Sequence, residues 1–177
     1  MQIRLIFFAT LTLAMFSLRT CNGTTTVAEK PSAGNCSMTF SGAISGTVQC
    51  VALGTYQSTT AQSNISIVGN GAAQGAASAT IAVAFAGSMG PKTITDANSS
   101  QYGATVIGPT VAGQVPMGWA ALPNPKQGTL TVTINSASSY ATSGGSAAYF
   151  VHGTATAYLV PAPNSKATGT VNLTATF

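Results

Sequence analysis

Few side chains in this sequence could carry chemistry. Two acidic residues, one histidine and three cysteines occur among 177 residues. Hydrolysis by paired carboxylates needs two of them held at a fixed separation. Glu29 falls in a stretch that reads as a tether, which leaves Asp96 alone. A structural or catalytic metal centre needs three or four ligands, and His152 with Asp96 does not reach that number. No metal, cofactor or catalytic residue is therefore expected, and the chain is read as a non-enzyme. One arrangement stays formally open, a hydrolase in which His152 and Asp96 serve one of the many serines. No nucleophile elbow or matched oxyanion loop accompanies it.

The cysteines divide by context. Met1 to Arg4 gives a positive start, Leu5 to Phe16 is an apolar run, and Ser17 to Gly23 is small and polar. That is the layout of a secretory signal peptide, and the run is short for a bilayer span. Residues 1–20 are assigned to it, 21–35 to a flexible tether and 36–177 to one folded domain. Leu18-Arg19-Thr20-Cys21 resembles a bacterial lipobox, whose cysteine is lipidated. Leu18 and Cys21 fit that pattern, whereas Arg19 and Thr20 depart from it. Lipidation at Cys21, the only membrane contact expected, stands beside simple secretion with cleavage near Gly23 or Ala28. Cys36 and Cys50 remain, an even number in an exported chain, and this favours a disulfide. Cys36, Met38, Phe40, Ile44, Val48 and Cys50 all fall on even positions. A hairpin folded about Ala43 sets Phe40 opposite Gly46, Met38 opposite Val48 and Cys36 opposite Cys50. All of these then share one face, and the sulfurs meet at cross-strand distance.

Binding is the other chemistry available. Trp119, the only tryptophan, lies in Val115-Pro-Met-Gly-Trp119-Ala-Ala-Leu-Pro123, read as a proline-rich connection. There it either contacts a ligand or plugs the end of the core. Tyr102 and His152 are further candidate ligand contacts, with a protein or a glycan at the cell surface as the partner. Nucleic acid is not expected. Without Arg4 and Arg19 of the leader, four lysines face two acids, and scattered lysines make no phosphate-tracking stripe.

The elements that must position these residues are strands. Only 5% of the chain is charged and 45% is hydrophobic, so its exterior must be made of neutral hydroxyls and amides. In Thr170 to Phe177, Val171, Leu173, Ala175 and Phe177 point one way and Thr170, Asn172, Thr174 and Thr176 the other. This is the period of a half-buried strand. Tyr149 to Val160 precedes it, and Pro161 to Ser165 forms the turn of a C-terminal hairpin. Alternation also predicts strands over Asn64–Val68, Thr80–Ala86 and Gly128–Ile134; Lys92–Thr95 is a brief strand candidate, and Gln101–Ile107 another where the pattern weakens. Val51–Tyr56 extends the second cysteine strand. Val111–Pro125 and Ser136–Ser146 read as connections. Eight or nine short strands without a helix predict an all-β antiparallel sandwich, immunoglobulin-like or jelly-roll-like.

Two resemblances rest on these segments. Cys-Ser-Met-Thr-Phe-Ser-Gly at 36–42, Gly-Thr-Val-Gln-Cys at 46–50 and Gly-Thr-Leu-Thr-Val-Thr at 128–133 form the first part of one pattern. Val-His-Gly-Thr at 151–154 and Gly-Thr-Val-Asn-Leu-Thr-Ala-Thr-Phe at 169–177 complete it. The whole looks like uncharacterised exported β-proteins and lipoproteins of environmental Gram-negative bacteria. That resemblance implies a β-domain that is secreted, periplasmic or held at the outer membrane. The second is to chaperone–usher pilin subunits. Met38 to Ile44 ahead of Cys50 is similar to their first core strand, and Gly169 to Phe177 to their last. It implies a fimbrial subunit assembled by donor-strand pairing. The upstream position of Cys36 and the ending at Phe177 depart from the pilin pattern.

Overall fold

The computed structural model describes residues 36–71, 76–109, 116–123 and 126–177; the expected signal peptide, the tether and Cys21 lie outside them. The described chain is all-β and antiparallel. Its strands are β1 (Ser37–Gly42), β2 (Gly46–Gln57), β3 (Gln62–Asn70), β4 (Ser78–Ala86), β5 (Lys92–Thr95) and β6 (Gln101–Ile107). They continue as β7 (Gly118–Pro123), β8 (Lys126–Gln127), β9 (Thr129–Ser143), β10 (Ser146–Pro161) and β11 (Val171–Thr176). No helix occurs among the described residues.

All eleven strands join one hydrogen-bonded sheet, in the order β5-β9-β10-β11-β1-β2-β3-β4-β6-β7-β8. The sheet curls back on itself through β10, which pairs with β9 and β11 and also with β2 and β7. Its start, Ser146–Phe150, lies against Leu53–Gln57 of β2, and its end, Val160 and Pro161, against Ala120 and Trp119 of β7. Between those ends β11 and β1 are wedged in, β11 on Thr154–Leu159 and β1 on β11. The circuit β10-β11-β1-β2-β3-β4-β6-β7 therefore closes, as a sandwich or barrel-like all-β fold requires. Closure also removes most of the free strand edge.

The alternating residues fill the inside. Ile65 and Ile67, Ile81, Val83 and Phe85, Leu130, Val132 and Ile134, and Val171, Leu173 and Ala175 are all buried. Burying each large aliphatic side chain contributes roughly 1.5–3 kcal/mol. The outside is coated with hydroxyls. The strand registers place Thr95, Thr131, Thr156, Thr174, Thr39 and Thr47 in one line across six strands. Threonines of this outer face also bond one another, Thr39 with Thr47 at 3.2 Å and Thr93 with Thr133 at 3.3 Å. Threonine suits this place because its branched side chain is stiff on a pleated surface while its oxygen satisfies water.

The first hairpin has the expected register, Met38 opposite Val48 and Phe40 opposite Gly46. Cys36 and Cys50 form a disulfide with their Cα atoms 4.9 Å apart. The terminal hairpin also forms, with Thr154 opposite Thr176 and Leu159 opposite Val171.

Two expected connections are strands instead. Ser136 to Ser143 continues β9, and Gly144-Gly145, both at positive φ, turns the chain directly into β10. Two such glycines are what a tight two-residue hairpin turn needs. Within the proline-rich stretch, Gly118–Pro123 is a strand with Trp119, Ala120 and Ala121 buried. Its proline is the last residue of the strand, where it breaks no interior ladder bond.

Replacing Cys36 and Cys50 together by serine should lower stability by about 3 kcal/mol, the chain-entropy value for a loop of this size. Urea denaturation should show a lower midpoint and a somewhat steeper slope, because the unbridged unfolded chain exposes more surface. An unchanged midpoint would mean that the bridge does not hold the hairpin.

Candidate functional site

The structure separates the residues that a hydrolase would need. The Asp96 backbone N–H donates to the Leu130 carbonyl at 3.2 Å, so Asp96 lies beside that part of β9. His152 lies opposite Ser136, six residues further along the same strand. At the rise of a strand this is about 20 Å, far beyond the roughly 3 Å of a working hydrogen bond. Asp96 is instead tied to Lys126, with Nζ and Oδ2 2.8 Å apart. Among the described residues no group of three or more His, Cys, Asp or Glu side chains comes together.

The two aromatic candidates are used by the core. Trp119 is only 1% exposed. It sits on β7 across from Val106, and its indole N–H donates to the Thr168 carbonyl at 3.3 Å. With its ring enclosed and its one donor occupied, it offers a ligand no stacking face. Of the two expectations for Trp119, its burial agrees with the residue that plugs the core. Tyr102 is 9% exposed, and its hydroxyl donates to the Leu122 carbonyl at 3.2 Å. Both residues tie β6, β7 and the segment before β11 together. β11, which ends one residue before Phe177, has β10 on one side and β1 on the other.

His152 is different: it is exposed, on the outer side of β10. It stands where β9 is irregular. Gly153 pairs with Ile134 but His152 with Ser136, which leaves Asn135 as an extra residue on β9. A second irregularity lies nearer the start of β10, where Ala148 pairs with Ala141 and Tyr149 with Ser139, leaving Tyr140 extra. Bulges of this kind re-aim side chains. Here the Tyr140 ring stacks on Phe150, with centroids 4.2 Å apart and planes 16° from parallel. Phe150 in turn lies opposite Leu53 of β2. Tyr140, Phe150 and His152 thus share one outer face, flanked by Asn135, Ser136 and Ser138. Sequence reading missed Tyr140 because Ser136–Ser146 lacks inward aliphatics; the paired glycines at 144–145 were the available signal.

At one end of the fold an apolar cleft of about 520 Å³ is lined by Phe40, Ile44, Val48, Ala77 and Pro109 among others. Among the described residues no charged side chain lines it. Ser45 and Thr47 add two hydroxyls to its otherwise apolar wall.

The hydrogen bond from Lys126 holds the Asp96 carboxyl below its ordinary 3.8 and raises Lys126 above its ordinary 10.5. The contribution of Asp96 to stability is therefore present above 3.8 and is lost as pH falls through its lowered folded-state value. That of Lys126 is present below 10.5 and is lost as pH rises through its raised value. NMR titration should find Asp96 below 3.8 in the native chain and shifted upward from that position in Lys126→Met. An Asp96 that titrates identically in both proteins would show that the ion pair does not persist in solution.

No family model, curated protein or solved structure matches this chain.

Proposed function

We propose that this chain is an exported, disulfide-pinned β-sandwich protein that acts by binding or as a structural component of the cell envelope and does not catalyse a reaction. The observation that carries the reading is the dispersal of its reactive side chains. Asp96 is held by Lys126, Cys36 and Cys50 are joined, and His152 stands alone on an outer face about 20 Å from Asp96. A scaffold whose ladder closes on itself and whose outside is neutral suits presentation of a surface.

Export rests on the tripartite start of the sequence together with the bonded cysteine pair, since disulfides persist in oxidising compartments. The leader would be removed, and the domain would then be either anchored through a lipid on Cys21 or released to the periplasm or medium. The hydroxyl-coated exterior agrees with that setting, because it keeps the fold hydrated without relying on charge.

Intact-mass analysis of the chain recovered from fractionated cells tests this. The expected product lacks the leader, begins at a lipidated Cys21 or at a cleavage site near Gly23 or Ala28, and has Cys36 and Cys50 unreactive toward alkylating reagents. A chain that retains Met1 and has free thiols at 36 and 50, recovered from the cytoplasm, would overturn the proposal.

A further inference from the structure

From the β9–β10 hairpin we infer a binding subsite for an uncharged saccharide, in which Tyr140 and Phe150 form an aromatic platform beside His152 and Asn135. The inference rests on the reading of the chain as a binding module and gives that module a ligand class.

Three observations converge on one patch. First, the two bulges of β9 bracket it, one setting Asn135 beside His152 and the other setting Tyr140 against Phe150. A regular hairpin would place neither side chain there, since each is the extra residue of its bulge. Second, β9 has a free outer edge at this place. β5 covers only Thr131–Ile134, and among the described residues nothing pairs with that edge from Asn135 to Ser143. Tyr140, half-buried, stacks on Phe150 in a stretch of β9 on whose outer edge no described strand follows. Third, the patch is uncharged but rich in donors and acceptors: the imidazole of His152, the amide of Asn135, the hydroxyls of Ser136 and Ser138, and the unpaired main chain. Lys92, the cation on the neighbouring strand β5, is engaged elsewhere. It donates to the Ser88 carbonyl at 2.7 Å and sits 4.9 Å from the centroid of the Phe85 ring.

This combination fits a pyranose. Its C–H face lies against an aromatic ring while its hydroxyls take neutral amide, imidazole and main-chain partners, as shallow saccharide contacts require. Among the described residues, no lysine or arginine stands on this patch to meet an anionic ligand. A peptide added as a new strand needs a continuous edge, and the bulges at Asn135 and Tyr140 leave it only Ser136–Ser139. The same interruption stands against edge pairing with a second copy.

The test uses the full oxidised chain on immobilised cellulose, starch, chitin and xylan, with dextran sulfate as the charged control. The expected result is retention on at least one neutral polysaccharide, insensitive to salt. Tyr140→Ala and His152→Ala should each weaken it by roughly tenfold or more, while Tyr140→Phe retains it because the stack survives. Tyr158→Ala, which removes another exposed aromatic from the same strand as His152, should bind as the native chain does. His152→Ala removes only an exposed side chain, so it keeps the test decisive if Tyr140→Ala fails to fold. Retention that is unchanged in folded Tyr140→Ala and His152→Ala overturns this site while leaving the binding module intact. Failure to bind any neutral polysaccharide, or binding only to dextran sulfate, overturns the ligand class and leaves a structural or protein-binding role for the chain.

Discussion

One strand holds this fold together. β10 is hydrogen-bonded along its length to β9, and along its other side successively to β2, β11 and β7. No other strand of the described chain meets four partners. The change from β2 to β11 occurs near Gly153, whose N–H and carbonyl both pair with Phe177. A Cβ at Gly153 would collide with the Thr133 carbonyl of β9, so the backbones approach there more closely than any side chain allows. The first bulge of β9 lies at the same level. Closure of the sheet, the wedge formed by β11 and β1, and the distal half of the hairpin that carries Tyr140 and Phe150 all depend on this crossing.

The second constraint is compositional. A chain with 5% charged residues must keep its outside hydrated by other means. Threonine on outward strand positions does so while favouring the extended backbone, so the side chains that solvate the wall also help to form it. The consequence for function is direct. With few charges available, the described surface offers mainly shape, aromatic area and neutral hydrogen bonds. Among the described residues, the outer face where Tyr140 stacks on Phe150 near His152 stands out against that background.

Much of the fold was legible because period-two alternation survives wherever one face of a strand meets the core. Ile81, Val83 and Phe85, or Leu130, Val132 and Ile134, could be assigned from parity alone. The early disulfide followed from the same parity, since Cys36 and Cys50 share it with Met38, Phe40 and Val48. The alternation fades where a strand leaves the core. Past Ile134, β9 is mostly exposed, so Ser136–Ser143 carried no aliphatic rhythm and read as a connection. In β7 the difficulty was the reverse. Trp119, Ala120 and Ala121 are all buried, which erases alternation, and the neighbouring prolines suggested a loop. The candidate site suffered from both effects. Trp119 and Tyr102 drew attention as aromatics and prove to be core, whereas Tyr140 lay in a segment whose strand character only its turn glycines signalled.

The dependence of the fold on β10 can be measured by native-state amide hydrogen exchange. Residues Thr154–Tyr158 are flanked by β9 on one side and β11 on the other. Their amides should be among the slowest in the protein, exchanging only through global unfolding. If these amides exchange as fast as the exposed hairpin tip at Ser143–Ser146, then β10 does not close the sheet and the fold is held together elsewhere.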